Sequence, residues 1–426
     1  MSLLTARTRT SPGLSTTASI ALLASLVVSF LAASAVPTPL YPLYQAEWGF
    51  SSITTTVVFG VYAVAVLAGL LVLGRVSDHV GRRPVLLAGL LGQAVSMIVF
   101  ATAAGVPELM VARVVQGVAT GAALGAVGAG LLDLDRARGT VANAVSPGIG
   151  TASGALVSSL VVQFLPAPTH LVYLVALAAF LLQGVGVLLL RETVTPAPGA
   201  VRSLVPEIAL PPSSRRAVLA AAPVLFSVWA LAGFYAALGP AILRVVTGST
   251  TLVVGGLGLF VLAAVAAVAV YVLRDADPHA VMRLGIGALV AGVATTLVAV
   301  DLRSGAVFFL GTAIAGVGFG SGFQGGIRTV MPLPLPHERA GVLSVLYVVS
   351  YFGMGLPAVV AGVFVVRGGG LVDTAYGYGV AVIALALLAL VALVRRSPAE
   401  DTDTLAGPRT EVAAAARELC TAQAAR

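Results

Sequence analysis

The sequence predicts an all-α integral membrane protein with about twelve transmembrane helices in two parallel six-helix repeats. Hydrophobic residues make up 58% of the 426-residue chain and charged residues only 10%, whereas soluble domains carry roughly 25% charged residues. The apolar residues occur in blocks of about 20, the length that spans a bilayer. A polar connection near the middle of the chain divides these blocks six and six.

Short polar connections separate the apolar blocks, and each block predicts one helix. The first block follows Arg7 and Arg9. It is long for the apolar core of a signal peptide, so we expect it to be retained as a helix. The predicted spans are 17–37, 51–73, 84–104, 107–131, 140–164, 170–190, 217–240, 250–273, 282–301, 304–327, 341–366 and 376–395.

The distribution of arginine predicts the orientation in the membrane. Every basic residue is arginine, and most lie in connections on one side of the predicted bundle. The other side receives only Arg244, Arg303 and Arg367. The positive-inside rule makes the arginine-rich side cytoplasmic, which places both termini inside and the protein in the plasma (inner) membrane. Because the net charge of +7 is spread thinly over loops, we do not expect nucleic-acid binding.

The longest internal connection predicts a boundary between two halves. Residues 191–216 are rich in proline, serine and arginine and lack apolar periodicity, which indicates a cytoplasmic linker. The predicted order is an N-terminal tail, a six-helix bundle, the linker, a second six-helix bundle and a cytoplasmic tail, at 1–16, 17–190, 191–216, 217–396 and 397–426.

The fifth and eleventh predicted spans resemble each other. Each opens with an acidic residue followed by arginine, and each then becomes rich in glycine, at Gly150 and Gly154 or at Gly353 and Gly355. Small residues let helices approach closely, so we expect these glycines to pack helices together. Repeats of this kind suit two halves related by an axis along the membrane normal.

A dense charged loop lies between the second and third spans. It contains Gly74, Asp78, Gly81, Arg82 and Arg83 in a chain that is otherwise nearly free of charge. Glycine permits a tight turn because it tolerates positive φ, and opposite charges at two helix ends can lock or release them. The spacing resembles the loop signature of the major facilitator superfamily, Gly-x-x-x-Asp-x-x-Gly-Arg-Arg/Lys.

The resemblance implies that this loop holds the cytoplasmic ends of the two halves together in the outward-facing state. Asp78 would meet the start of the eleventh span near Gly341, where a helix N-terminus favours an acid. One of the two arginines would pair with Asp133 or Asp135 at the cytoplasmic end of the fourth span. The alternative is that the arginines only anchor the loop at lipid phosphates.

Arg113 lies inside the fourth span, roughly 10 Å from its outer end at about 1.5 Å per residue. An arginine at that depth costs at least about 2.5 kcal/mol, so it should face the bundle interior and is a functional candidate. Gln116 lies one turn further on the same face. The alternatives are a structural arginine satisfied by carbonyl groups and a contact for an anionic substrate or chloride.

The run from Arg113 through Gln116 to Gly117 resembles the Arg-x-x-Gln-Gly signature of the drug-efflux branches. That resemblance implies that Arg113 influences proton release from a nearby acid. However, no Asp or Glu lies within the core of any predicted span. The sequence therefore does not identify a proton site.

The expected function is secondary active transport by alternating access, with proton-coupled efflux of a small drug-like or sugar-like solute as the leading hypothesis. One alternative is uptake or facilitated transport of a sugar or organic anion with Arg113 as the anion contact. A remote alternative is a multi-span membrane enzyme or receptor, which would need catalytic groups at membrane depth.

Family architecture implies a central cavity between the two halves. Candidate lining residues are aromatic or polar side chains at membrane depth, although helix packing or interfacial anchoring is the alternative for each. They are Phe30, Gln116, Trp229, Tyr235, Phe319, Gln324, Tyr347 and Tyr351. Tyr41 and Tyr44, which follow the first span, are predicted to be interfacial anchors.

Neither a nucleotide site nor another cofactor site is predicted. The glycine-rich runs lack the Gly-Lys-Ser/Thr ending of a phosphate loop. The four histidines fall near loops without metal-ligand spacing, and Cys420 is the only cysteine. The expected partners are the lipid bilayer, a small-molecule substrate and protons, and the expected state is a monomer.

Overall fold

The computed structural model describes residues 14–249 and 251–394, and in these residues the chain forms twelve long helices and no β-strand. Helices satisfy their own backbone polar groups, which lipid requires. The long helices are α1 (Thr16–Ala35), α2 (Ser52–Leu73), α3 (Arg82–Ala101), α4 (Val106–Leu134), α5 (Arg136–Phe164), α6 (Pro168–Leu188), α7 (Pro212–Ala237), α8 (Leu252–Val272), α9 (Pro278–Asp301), α10 (Gly305–Val330), α11 (Arg339–Phe364) and α12 (Gly370–Val394).

The helices are long and apolar enough to cross a membrane. Eleven helical stretches of the described chain meet that description, and the last of them, Arg339–Val391, contains α11 and most of α12. The all-α membrane fold predicted from the sequence is confirmed. The predicted tail 397–426 and residues 1–13 of the predicted tail 1–16 lie outside the described residues.

Two helices begin earlier than the predicted spans, because proline or a capping side chain can start a helix before the apolar block. α7 begins at Pro212 rather than at residue 217, because proline suits the first helical turn, and the connection before it is therefore 189–211. α9 begins at Pro278 rather than at residue 282, because the Asp277 side chain accepts a hydrogen bond from the Ala280 amide at 2.8 Å.

Each half contains a short helix directly after its first long helix. Tyr41–Trp48 follows α1 and Gly239–Thr247 follows α7. Each short helix ends at a glycine with left-handed backbone, Gly49 at φ 66° and Gly248 at φ 64°. This correspondence agrees with two halves built as repeats.

The tyrosines of the first short helix face the protein interior. Tyr41 and Tyr44 are 3% and 2% exposed, so the prediction that they anchor the protein at the membrane interface was wrong. Their hydroxyl groups bind Arg113 and Tyr173 inside the first half. Such pairing satisfies the polar ends of these rings within an apolar interior.

The first and fifth helices of each half approach closely at glycine. A Cβ on Gly154 of α5 would lie 2.5 Å from the Cα of Ala32 in α1, and a Cβ on Gly150 would lie 2.5 Å from the Val28 carbonyl oxygen. In the second half, a Cβ on Gly353 of α11 would lie 2.7 Å from the Phe226 carbonyl oxygen of α7. The α1–α5 and α7–α11 pairs are therefore equivalent contacts in the two halves.

The two halves contact each other through α2 with α11 and α5 with α8. We call the end of the bundle that carries residues 74–81, 189–211 and 331–338 the linker face. A Cβ on Gly60 of α2 would lie 2.9 Å from Val359 of α11, and the Leu252 amide donates to Gln163 at 2.9 Å. These contacts lie in the parts of the helices remote from the linker face.

Candidate functional site

The charged loop between α2 and α3 is a single helical turn, Ser77–Val80, followed by a strained glycine. Gly81 has φ 101°, a region that other residues rarely adopt. A Cβ at this position would also lie 2.6 Å from Oε2 of Glu192. At the other end of the loop, Gly74 contacts α4, where a Cβ on Gly125 would lie 2.7 Å from the Gly74 carbonyl oxygen. Conformation and close approach therefore both require glycine at position 81, and close approach requires glycine at position 125 of α4.

Arg82 connects the loop to the end of α4. Its guanidinium forms an ion pair with Asp78 and a second with Asp133, whose Oδ2 lies 3.1 Å from Nε. The same group donates to Ser77 Oγ at 2.8 Å, and the side chain is only 12% exposed. A largely buried arginine that pairs with two carboxylates stabilises the contact between the loop and α4 more than a single exposed ion pair would.

Asp78 and Asp135 have different partners from those predicted. Asp78 pairs with Arg82, and the residue that covers the start of α11 is Ala209, whose Cβ would lie 2.7 Å from a Cβ on Gly341. Asp135 accepts hydrogen bonds from two amides at the start of α5, at 2.9 and 3.0 Å, and so caps that helix. The predicted contact of Asp78 with α11 therefore differs from the structure. The predicted pairing of a loop arginine with an acid at the end of α4 is present at Asp133, and not at the alternative, Asp135.

Glu192 is a site residue that the sequence did not predict. Its carboxylate accepts hydrogen bonds from the amides of Arg82 at 2.8 Å, Arg83 at 2.9 Å, Thr193 at 3.0 Å and Val194 at 3.2 Å. It therefore caps α3 from the linker, because Gly81 has no side chain to cap the helix itself. The missing capping residue at the start of α3 is the signal that could have indicated an acceptor from elsewhere.

We call residues 192–209 the linker strap, because they cross the charged loop between the ends of α6 and α11. The Ala197 amide donates to the His79 carbonyl oxygen at 2.9 Å. Arg75 pairs with Glu207 at 2.6 Å. With the Glu192 cap at one end and Ala209 against α11 at the other, the strap joins the loop to both halves.

Arg113 is fully buried inside the first half, at 0% exposure. Its Nη1 donates to the Ser34 carbonyl oxygen at 2.9 Å and to Gln116 Oε1 at 2.7 Å, while Nη2 donates to the Tyr41 hydroxyl at 2.7 Å. Gln116 in turn donates to the Ala33 carbonyl oxygen at 3.1 Å. The pair thus binds the last carbonyl groups of α1, which lack partners within the helix and form its negative end.

Aromatic rings surround the Arg113 guanidinium. Its Cζ lies 5.1 Å from the ring centre of Tyr62, 5.6 Å from that of Phe100 and 6.0 Å from that of Tyr41. No carboxylate of the described chain forms an ion pair with it. Both Nη groups are bound, whereas Nε is buried without a hydrogen-bond partner among the described residues. The geometry is closest to a structural arginine held by carbonyl groups and rings, one of the alternatives that the sequence left open.

Five aromatic side chains of α7, α10 and α11 form an aromatic cluster. Trp229 lies at the centre, with ring-centre distances of 5.2 Å to Tyr351, 5.5 Å to Phe323 and 6.0 Å to Phe319. Tyr347 is 6.5 Å from Tyr351 and completes the cluster. The Trp229 Nε1 is buried without a hydrogen-bond partner among the described residues. Of these rings, only Phe323 was not predicted.

The aromatic cluster lies beside the contact between the halves. Tyr351 precedes Gly355 by one helical turn, and a Cβ on Gly355 would lie 3.3 Å from Ala63 of α2 in the other half. Because α11 starts at the linker face, Tyr347 and Tyr351 lie on the linker side of this contact. The cluster therefore stands where a gap between the halves would begin.

Three other predicted cavity residues lie elsewhere. Phe30 is 1% exposed and packs against Phe180 at 5.5 Å inside the first half. The Tyr235 hydroxyl lies 2.7 Å from that of Thr312 inside the second half. Gln324 donates to the Val270 carbonyl oxygen at 3.1 Å, at the end of α8. Each occupies a helix–helix contact, because the side of a helix that faces the cavity depends on how the helix is rotated in its bundle.

A model of the Major Facilitator Superfamily matches residues 22–357 of the sequence. The chain belongs to the Major Facilitator Superfamily. This membership confirms the resemblance of the charged loop and identifies the protein as a membrane transporter rather than an enzyme.

Two relatives share short segments with this transporter. A Major facilitator superfamily multidrug transporter, mfsB of Aspergillus fumigatus, is 54% identical over 48 residues, which are 11% of this chain and 8% of the relative. An uncharacterized transporter of Rickettsia bellii is 43% identical over 74 residues, 17% of this chain and 18% of the relative. The chain thus matches far less than two thirds of either relative.

Solved structures share the fold over most of the chain. The nucleoside transporter NupG has a TM-score of 0.68 at 14% identity, with 88% of this chain and 99% of that chain covered. The human organic anion transporter MFSD10 (TETRAN) has a TM-score of 0.64 at 18% identity, with 89% of this chain and 99% of that chain covered. At these identities the likeness concerns the fold alone.

Proposed function

We propose that this transporter exports a small aromatic organic solute across the plasma membrane, as a monomer that works by alternating access and is driven by protons. The observation that carries this proposal is the aromatic cluster around Trp229, which contains an unpartnered indole donor and no charged side chain. Aromatic walls with a few polar groups suit an aromatic solute that offers a hydrogen-bond acceptor.

The arrangement of the halves supports alternating access. The α2–α11 contact at Gly60 and the α5–α8 contact at Gln163 lie away from the linker face, whereas the linker strap bridges the halves at that face. The α5–α8 contact also extends toward the linker face, where a Cβ on Gly148 would lie 2.8 Å from Ala267. We infer that the described conformation is closed on the side opposite the linker and that the charged loop and linker strap together act as the gate. The arginine-rich connections support a cytoplasmic linker face and cytoplasmic termini.

The surroundings of Arg113 argue against the alternative in which this residue contacts an anionic substrate. An anion contact needs an accessible guanidinium, and Arg113 is enclosed and bound to α1 and Tyr41. The segment shared with the multidrug transporter mfsB supports a drug-like solute. We place the aromatic cluster, rather than Arg113, in contact with the solute.

A second candidate is facilitated transport without protons. All acidic residues of the described chain lie at or near helix ends or in connections, so none is at mid-membrane to carry a proton. Protons would have to act through an acid at a helix end, such as Asp133 of the gate. Proteoliposomes loaded with a solute separate the two candidates. Export accelerated by an inward proton gradient supports coupling, whereas gradient-independent exchange supports facilitated transport.

Tryptophan fluorescence can identify the solute, because the chain has two tryptophans, Trp48 and Trp229. In a Trp48→Phe variant, Trp229 is the only tryptophan left to fluoresce. We expect an aromatic solute to quench this signal in a saturable manner, and the matched Trp229→Phe variant to show no saturable quenching. A transported solute that leaves Trp229 unaffected would contradict its placement at the cluster.

A further inference from the structure

A cavity lies in the first half at the linker face, away from the contact between the halves. It has a volume of about 450 Å³, is open on one side and is lined by the start of α1, the start of α3, the end of α4 and the first linker residues after α6. Ligand-binding cavities are typically about 300–1,000 Å³, so it is large enough for a small molecule or a lipid headgroup. Neither the charged loop's ion pairs nor the aromatic cluster explains this space.

The wall of this cavity is amphipathic. Its apolar part includes Leu23, Leu86 and Leu134, and its basic part consists of Arg82, Arg83 and Arg191. Hydroxyl groups at the start of α1 complete the polar part, and none of the lining residues is acidic. Leucines beside guanidinium groups at a membrane face suit a molecule with an apolar chain and an anionic head.

The charges around the cavity are not equally neutralised. Arg82 has two carboxylate partners, Asp78 and Asp133, and the carboxylate of Glu192 is engaged by backbone amides. Arg83 has no carboxylate partner within the described residues. Its Nη2 donates to the Leu188 carbonyl oxygen at 2.7 Å, and its Nε is buried without a hydrogen-bond partner there. A buried cationic donor without a partner is costly, so the charge of Arg83 is not fully compensated within the protein. Because Arg83 lines the cavity, an anion held there gains a charge-assisted hydrogen bond from the accessible part of its guanidinium.

We propose that this cavity binds the phosphate ester of an anionic phospholipid, with Arg83 as the principal contact and the leucine wall against the acyl chain. Basic pockets between helices at the cytoplasmic face recognise anionic headgroups in this way. A soluble phosphate ester offers the same head without the chain, and the apolar half of the wall favours the lipid. Because Arg83 lies in the first turn of α3, the bound lipid would stabilise the start of that helix beside the gate.

Native mass spectrometry and thermal unfolding of the full-length protein in detergent test the proposal. Phosphatidylglycerol should be retained and should raise the Tm, whereas phosphatidylcholine should do neither, because a ligand of the native state stabilises it. Arg83→Gln should weaken phosphatidylglycerol binding about tenfold, as expected for a lost hydrogen bond to a charged group. Arg283→Gln removes an exposed arginine of α9 and should change nothing.

A second variant keeps every arginine. Gly130 of α4 lines the cavity, and a Cβ there would lie 3.3 Å from Leu23, so Gly130→Leu should fill the space and abolish lipid retention. Equal retention of phosphatidylglycerol and phosphatidylcholine would overturn the proposal. So would an equal loss of phosphatidylglycerol binding in Arg83→Gln and Arg283→Gln. If glycerol 3-phosphate alone raises the Tm as much as phosphatidylglycerol does, the site binds a soluble phosphate ester and the lipid assignment is wrong.

Discussion

Replacing Arg113 by lysine separates the charge of this residue from its geometry. The lysine keeps one positive charge but loses the planar fork that binds Ser34, Gln116 and Tyr41 together. We expect the ammonium group to keep one of these three hydrogen bonds. At about 0.6–1.7 kcal/mol for each hydrogen bond between helices in a membrane, the two lost bonds correspond to about 1–3 kcal/mol of stability. If only the positive charge of residue 113 mattered, Arg113→Lys would leave the stability nearly unchanged.

The assay is unfolding in mixed micelles with an increasing fraction of SDS, followed by tryptophan fluorescence. Tyr41→Phe removes one acceptor and closes a double-mutant cycle. Tyr41→Phe should cost about 1 kcal/mol of stability with arginine at position 113 and close to zero with lysine, and the difference is the coupling energy of about 1 kcal/mol. Arg283→Lys, at an exposed position of α9, is the matched control. An Arg113→Lys protein with the stability and transport rate of the parent would refute the structural role proposed for the fork.

Further predictions concern the gate and the helix contacts. Gly81→Ala should cost about 1–3 kcal/mol in strain, because φ is 101° and the new Cβ would displace Glu192; unchanged stability in the same assay would contradict this. Gly154→Ala should destabilise the α1–α5 contact, whereas Gly184→Ala, with nothing within 4 Å, should be neutral or stabilising by up to about 1 kcal/mol. Asp78→Asn should change stability by less than about 1 kcal/mol, because the pair is exposed on one side, yet should abolish transport by protein that reaches the membrane. Unchanged transport would refute the gating role of Asp78.

The sequence predicted most of the fold, because helix formation in a membrane is a local property. Each apolar block of about 20 residues must become a helix whatever its neighbours are, since lipid offers no partner for the backbone. The same reasoning predicted that Arg113 is buried, because lipid exposure of a charge is costly. It also predicted the close approach at Gly154, which reflects residue size alone.

The hydrogen-bond partners of the site residues and the directions of their side chains could be known only from the tertiary structure. Glu192 lies 110 residues from Arg82 along the chain, and no local pattern indicates that its carboxylate caps α3. Phe30 and Tyr235 lie in helix contacts, while Trp229 is in the aromatic cluster. Depth follows from sequence position, but direction follows from the rotation of each helix against its neighbours.

The sequence by itself determined that this chain is a helical membrane transporter with a charged loop between α2 and α3. Hydrophobicity, glycine and arginine act on the nearest turn of backbone or on the bilayer, so their effects can be read along the chain. Only the tertiary structure decided that Arg113 binds the end of α1 and that the linker strap holds the charged loop. Both depend on groups far apart in sequence that packing brings within hydrogen-bonding distance.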